Sequence, residues 1–108
     1  MPALLILNYD VTDPGRLDAY RQAAGPVLLG PDAGELLAST DRTVHLHEGG
    51  RPSGGTHTVV LRFADAEQAR AVYESEDYRA LLEERLAATV PYTAMIVPAV
   101  AESIVRSQ

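Results

Sequence analysis

The chain contains no cysteine and no lysine; all nine of its basic residues are arginine. Without cysteine there is no disulfide, no thiolate nucleophile and no cysteine-held metal. Without lysine no protein Schiff base can form, which excludes pyridoxal-phosphate enzymes and lysine-dependent aldolases. Positive charge is scarce too. Nine basic against 15 acidic residues give a formal charge of −6, which repels polyanions, so nucleic acid is not an expected partner. No stretch approaches the ~20 apolar residues of a membrane span. The apolar run Ala3 to Leu7 has no basic region ahead of it and no room for a signal peptide, so no membrane partner and a cytoplasmic location are expected. Chemistry falls to His, Asp, Glu, Tyr, Arg, Ser or Thr, or to a bound group, and no cofactor is expected.

What is present is globular in composition. At 108 residues, 46% hydrophobic and 22% charged, the chain can bury one core of modest size. Residues 1–98 read as one domain and 99–108 as a weakly specified tail. Leu4 to Asp10 is short, nearly continuous in apolar residues and bounded by a turn, the pattern of a strand buried on both faces. Thr12-Asp13-Pro14 starts a helix. Leu17, Tyr20, Ala24, Val27 and Leu28 share its inner face, Gly25-Pro26 should kink or split it, and Gly30-Pro31 ends it. Glu35 to Ser39 and Thr43 to Glu48 read as strands around a turn at 40–42, followed by the loop GGRPSGG at 49–55 and a strand from Thr56 to Phe63. Asp65-Ala66-Glu67-Gln68 resembles a capping box. Ser75 caps a second helical segment with Tyr78, Leu81, Leu82 and Leu86 inside, Pro91 closes the helical region, and Tyr92 to Val97 is the last strand.

The order β-α-β-β-β-α-β, with the two middle strands one bent arm, matches the split βαβ or ferredoxin-like plan, an α+β fold with an antiparallel sheet and helices on one face. Helices on one face leave the other face of an all-apolar first strand uncovered. A second copy of the sheet would cover it, so a homodimer burying roughly 800 Å² per subunit is expected.

Three blocks carry a family resemblance: MPALLILNYDVTDPGRLDAY at the start, Gly-Glu-Leu-Leu at 34–37 and ARAVYESEDYRALLEER at 69–85. Together, over about residues 1–98, they resemble the bacterial family catalogued as domain of unknown function 1330, in the dimeric α+β barrel superfamily. The resemblance implies that fold, the dimer, and a small organic ligand held inside the barrel or between sheet and helices. Members of that superfamily include cofactor-free monooxygenases, muconolactone isomerases, polyketide cyclases and haem-binding proteins. The family usually has His-Gly-Gly after the first helix where this chain has Asp32-Ala33-Gly34. It also commonly has tryptophan where Val72 precedes Tyr73.

Several residues are candidates for chemistry. His45 and His47, two apart on an expected strand, put their rings on one face about 7 Å apart at the backbone, a spacing that suits a general base beside a donor or one metal ion. A solvated edge face is the plainer account. No further ligand cluster accompanies them, so no metal site is expected. Arg62 interrupts an apolar strand and suits an anionic ligand, or an internal pair with Asp10 beside Asn8. Asp32 is a turn former, or, if buried against apolar residues, a proton shuttle at the family's histidine position. Tyr20, Tyr73 and Tyr78 lie on inner helical faces as core residues or as pocket lining. The glycine-rich loop has no phosphate-loop pattern, and no serine sits in a nucleophile elbow.

The expected function is a cofactor-independent bacterial small-molecule enzyme. Its acid/base chemistry would be cyclisation, isomerisation, dehydration or oxygenation of a carbonyl, phenol or polyketide-like substrate. His45, His47, Asp32 and Arg62 are its expected catalytic residues, with Asn8, Tyr20, Tyr73 and Tyr78 binding substrate. The alternatives are a non-catalytic small-molecule-binding dimer and a metal- or haem-dependent enzyme using His45 and His47.

Overall fold

In the computed structural model, which describes residues 1–46 and 54–100, the chain runs β1 (Ala3–Val11), α1 (Pro14–Leu28), β2 (Glu35–Thr40), β3 (His57–Phe63), α2 (Ala66–Tyr73), α3 (Glu76–Ala88) and β4 (Thr89–Pro98). The four strands form one antiparallel sheet in the order β2-β3-β1-β4. Because β3 lies between β1 and β2, this is the ferredoxin-like split βαβ arrangement read from the sequence.

β1 is the hinge of the architecture. It pairs with β3 along Ala3↔Phe63 to Tyr9↔His57 and with β4 along Ala3↔Pro98 to Val11↔Thr89. Side chains alternate across a strand, so Ala3, Leu5, Leu7 and Tyr9 enter the core beneath the helices, where each is at least 97% buried. Leu61 and Phe63 of β3, Leu17, Tyr20, Ala24 and Leu28 of α1, Ala69 of α2, and Tyr78 and Ala88 of α3 complete that core. Leu4 and Ile6 face the other way with Val60, Met95 and Val97. Among the described residues no helix covers that side.

Local chemistry explains the helix ends. Asp13 accepts a hydrogen bond from the Arg16 amide ahead of Pro14, and Ser75 accepts one from the Tyr78 amide, as side-chain caps do. Asp65 accepts from the Gln68 amide, but the returning bond of the expected capping box reaches one residue further back, from the Ala64 amide to Gln68 Oε1 at 2.9 Å.

Four expectations need correction. Pro26 does not split α1, which runs through it to Leu28; so near the C-terminus the missing N–H removes only one of the last bonds. Pro91 does not close the helical region. It lies inside β4, an edge strand, opposite Tyr9 at a register shift, and an edge bulge tolerates the lost donor. Residues 43–46 form no strand and are tied to the sheet by a backbone bond from the Thr43 amide to the Thr56 carbonyl, at 3.1 Å. On α3 the inward residue is Arg85, not Leu86, which is 43% exposed.

On the open side of β1, Asn8 fastens the incoming segment. Its Oδ1 accepts from the Gly55 amide at 2.6 Å, and its Nδ2 donates to the Gly55 and His57 carbonyls and to Thr58 Oγ1 at 2.9–3.0 Å. Gly55 itself admits no side chain, since a Cβ there would run into the Tyr9–Asp10 peptide. Replacing Asn8 with alanine strands the buried Gly55 amide, a group whose unmet hydrogen bond is costly, while the Gly55 carbonyl keeps His45 Nε2. Asn8→Ala should therefore lose about 1–3 kcal/mol in urea unfolding; a loss below about 0.5 kcal/mol would show that the lock does not hold the strand end.

Candidate functional site

The helices and the sheet enclose a cluster of tyrosines around one buried cation. Tyr78 and Arg85, seven residues apart, lie on one face of α3, and both are almost wholly buried, at 0% and 2% exposure. Tyr9 comes up from β1, Tyr20 from α1 and Tyr73 from the end of α2. The Tyr20 and Tyr78 hydroxyls meet at 2.6 Å with their rings edge to face. Tyr73 packs against Tyr78 with ring centroids 5.1 Å apart. A terminal nitrogen of Arg85 donates to the Tyr73 hydroxyl at 3.2 Å, and the guanidinium carbon stands 6.0 Å from the centre of the Tyr9 ring. Beside Tyr9, on the next strand, His57 stacks at 5.8 Å.

A cleft of about 200 Å³ opens beside this cluster between α1 and the sheet. Its walls include Leu7, Tyr9, Tyr20, Leu28, Leu36 and Val59, with Arg21 and Ser39 adding polar side chains. Two features of the sequence leave the space. Ala24 and Gly25 give α1 little bulk where it faces the cleft, and every residue of β2 is exposed, so α1 does not reach across that strand. A cavity of about 150 Å³ holds a benzene ring, so the space suits a ligand built on one ring.

Both phenols of the hydroxyl pair are held above the ordinary tyrosine range. Burial is the main cause for each; Tyr78 adds to the effect on Tyr20, while the Arg85 charge opposes it at both. Each therefore keeps its proton at neutral pH.

The residues singled out from the sequence are spread over the molecule. Tyr20, Tyr73 and Tyr78 are brought together. Asn8 is on the opposite side of the sheet with its amide engaged by backbone, leaving it a structural role. Arg62 is exposed on that same side, opposite Leu4 and Glu35, four positions and roughly 13 Å of strand from Asn8; among the described residues it forms no ion pair with Asp10. Asp10 instead accepts from the Thr56 amide and from Tyr92. Asp32 is exposed in the α1–β2 turn, where its carbonyl accepts from Gln68 Nε2; the apolar enclosure a proton shuttle needs is absent. Arg62 and Asp32 line adjoining open clefts of about 400 and 600 Å³. His45 lies off the sheet with Nε2 at 2.8 Å from the Gly55 carbonyl oxygen, and His47 lies outside the described residues. Among the described residues no group of three His, Asp or Glu side chains could hold a metal ion, and no helix is long and apolar enough to cross a membrane.

Arg85 was not among the sequence candidates, although one signal for it exists. Tyr78, Leu81 and Leu82 define an apolar stripe whose next turn falls on Arg85, so a charge interrupts an inward face.

The sequence model of one known family covers residues 2–100. The chain belongs to the domain of unknown function family DUF1330. Among solved structures, an RPA0582 protein of unknown function from Rhodopseudomonas palustris is similar, with a TM-score of 0.69 at 14% identity over 93% of this chain and 83% of that one. A methylated form of RPA0582 gives 0.66 at 14% identity, over 94% and 82%. At that identity the likeness is one of fold. No curated protein matches this DUF1330 chain.

A pH effect follows from the buried phenols. A folded-state value above the unfolded one contributes stability that is complete below the unfolded tyrosine value, near pH ~10, and is lost as pH rises past it. Urea stability should therefore fall between about pH 9 and pH 11, more steeply for the native protein than for the Tyr20→Phe/Tyr78→Phe double variant. Equal slopes would refute it.

Proposed function

We propose that this protein is a cofactor-independent enzyme of bacterial metabolism that performs acid/base chemistry on a small carbonyl, phenol or polyketide-like molecule bound in the cleft beside Tyr9 and Tyr20. Cyclisation, isomerisation, dehydration and oxygenation all fall within that chemistry. The observation that carries the reading is the 2.6 Å contact between the hydroxyl of Tyr20, which lines the largely apolar cleft, and that of Tyr78 behind it. One hydroxyl donates to the other, and the second proton stays available to a substrate oxygen as negative charge develops on it. This assigns the proton-carrying role to the tyrosine pair in place of His45, His47, Asp32 and Arg62. The test is turnover on a panel of β-dicarbonyl, phenolic and lactone compounds, followed by mass spectrometry. Tyr20→Phe and Tyr78→Phe should each slow the reaction by about 10²-fold or more. Full turnover in both variants would overturn the assignment.

One observation favours a second reading, a non-catalytic binder: among its described lining residues the cleft has no carboxylate or imidazole to accept a proton. A binder would show ligand-dependent stabilisation with no product formed.

The partner expected at the open side of the sheet is a second copy of the chain. Leu4, Ile6, Val60, Met95 and Val97 form a patch that the described helices leave uncovered, and a twofold pairing of sheets would bury it. Light scattering at micromolar concentration should give a dimer, and Ile6→Glu or Met95→Glu should give a monomer. A monomeric native protein would refute the pairing.

A further inference from the structure

We infer that the cleft selects an organic oxyanion, a carboxylate, enolate or phenolate, and that Arg85 is the positioning residue that makes it do so. This rests on the reading of the cleft as the binding site and adds the class of ligand.

The argument is a count of donors against acceptors. An arginine side chain carries five N–H donors and no acceptor. Arg85 is 2% exposed, and its Nε has no hydrogen-bond partner among the described residues. Among the described residues no carboxylate pairs with it. Glu84, its neighbour in sequence, is turned outward to Arg16 at 2.7 Å. The groups around the guanidinium are phenols: Tyr73 accepts one bond, and Tyr9 offers a ring face at 6.0 Å, which partly offsets a cation. The Tyr20–Tyr78 pair holds two O–H protons and spends one on the bond between them. Among the described residues the cluster thus has surplus donors, a full positive charge and no counter-charge; of its members Tyr9 and Tyr20 line the cleft, beside Arg21, and Tyr78 and Arg85 stand behind them. A buried cation without a partner is a costly arrangement, and such groups concentrate where a ligand completes them. The complement is an acceptor-only group with negative charge, carried on a body small and apolar enough for the cleft. The anionic oxygen would lie against the Tyr20 hydroxyl, itself bonded to Tyr78, with Arg85 behind the pair adding its field to that of Arg21 on the cleft wall.

The test uses para-nitrophenol, whose visible absorption reports its ionisation, and nitrobenzene as a neutral molecule of similar shape. The native protein should bind the phenolate at least about tenfold more tightly than nitrobenzene and lower the probe's apparent pKa by about one unit. Arg85→Met should lose both effects, Arg85→Lys should keep most of them, and Tyr78→Phe should weaken them. Arg85→Met should also melt no lower than the native protein, because it removes an uncompensated buried charge; an arginine kept for stability would show the opposite. If Arg85→Met does not fold, the inference is refuted on that count, and Arg85→Lys and Tyr78→Phe still report whether charge and hydroxyl set the preference. Equal binding of the two probes, binding of neither, or a preference that survives Arg85→Met would each overturn it. Anion preference without turnover on any compound would sink the enzyme reading alone. Turnover of neutral carbonyl compounds with equal probe binding would sink this inference alone.

Discussion

Everything in this molecule is hung on β1, whose two edges are hydrogen-bonded along nearly its whole length and whose two faces do different work. One set of alternate residues, Ala3, Leu5, Leu7 and Tyr9, lies at 1–3% exposure under the helices. At roughly 25 cal/mol for each Å² of apolar surface removed from water, burial of such side chains is the main force holding the helices to the sheet. The other set, Leu4 and Ile6, meets no helix among the described residues. A single strand therefore supplies both the floor of the enclosed site and the centre of an uncovered apolar surface, and neither could be altered without moving the register of the other.

The tyrosine cluster shows how a small core can carry polar groups at acceptable cost. Four of the five phenol side chains of the chain are gathered near Arg85, and their ring bodies contribute apolar area, while the Tyr20 and Tyr78 hydroxyls meet each other, the Tyr73 hydroxyl accepts from Arg85 and the Tyr9 hydroxyl accepts from Arg21. A tyrosine pair satisfies half of its hydrogen-bonding capacity internally, which is why both can be buried. Arg85 has no such solution. Among the described residues its bond to Tyr73 and its place beside the Tyr9 ring leave Nε unmet, so the cluster is stable as a fold yet incomplete as a set of hydrogen bonds. That incompleteness, more than the presence of a cleft, distinguishes the helix side of the sheet from an ordinary core.

Much of the fold was legible in the residues. The continuous apolar run of β1, the caps at Asp13, Asp65 and Ser75 and the breaker at Gly30-Pro31 each have a local cause, and local causes can be read without coordinates. The errors arose where tertiary context outweighed local preference. Pro91 reads as a stop, but an edge strand with a bulge does not need its N–H. The alternation of Val44, His45 and Leu46 reads as a strand, but Asn8 holds the neighbouring segment and, among the described residues, one backbone bond joins 43–46 to it. The site was harder. His45 and Arg62 are conspicuous by residue type, whereas the structure places them at the surface side of the sheet and gathers phenols that look like core. Arg85 was hidden because a lone arginine in a helix of arginines and glutamates is usually solvated; only its phase relative to Tyr78 sets it apart.

The register shift between β1 and β4 links these observations. It falls between Asn8 and Tyr9, where Asn8 faces Thr93 and Tyr9 faces Pro91, leaving Tyr92 as the extra residue. A bulge bends its strand and re-aims the side chains beside it. Here the two residues it separates are the lock on the open side and the ring under Arg85, and the bulged Tyr92 reaches back to Asp10 at 3.3 Å. Pro91 is tolerated because the ladder is already broken at that point. The same irregularity thus explains a proline inside a strand. A regular β1–β4 ladder would have required a donor at Pro91 that the chain does not possess.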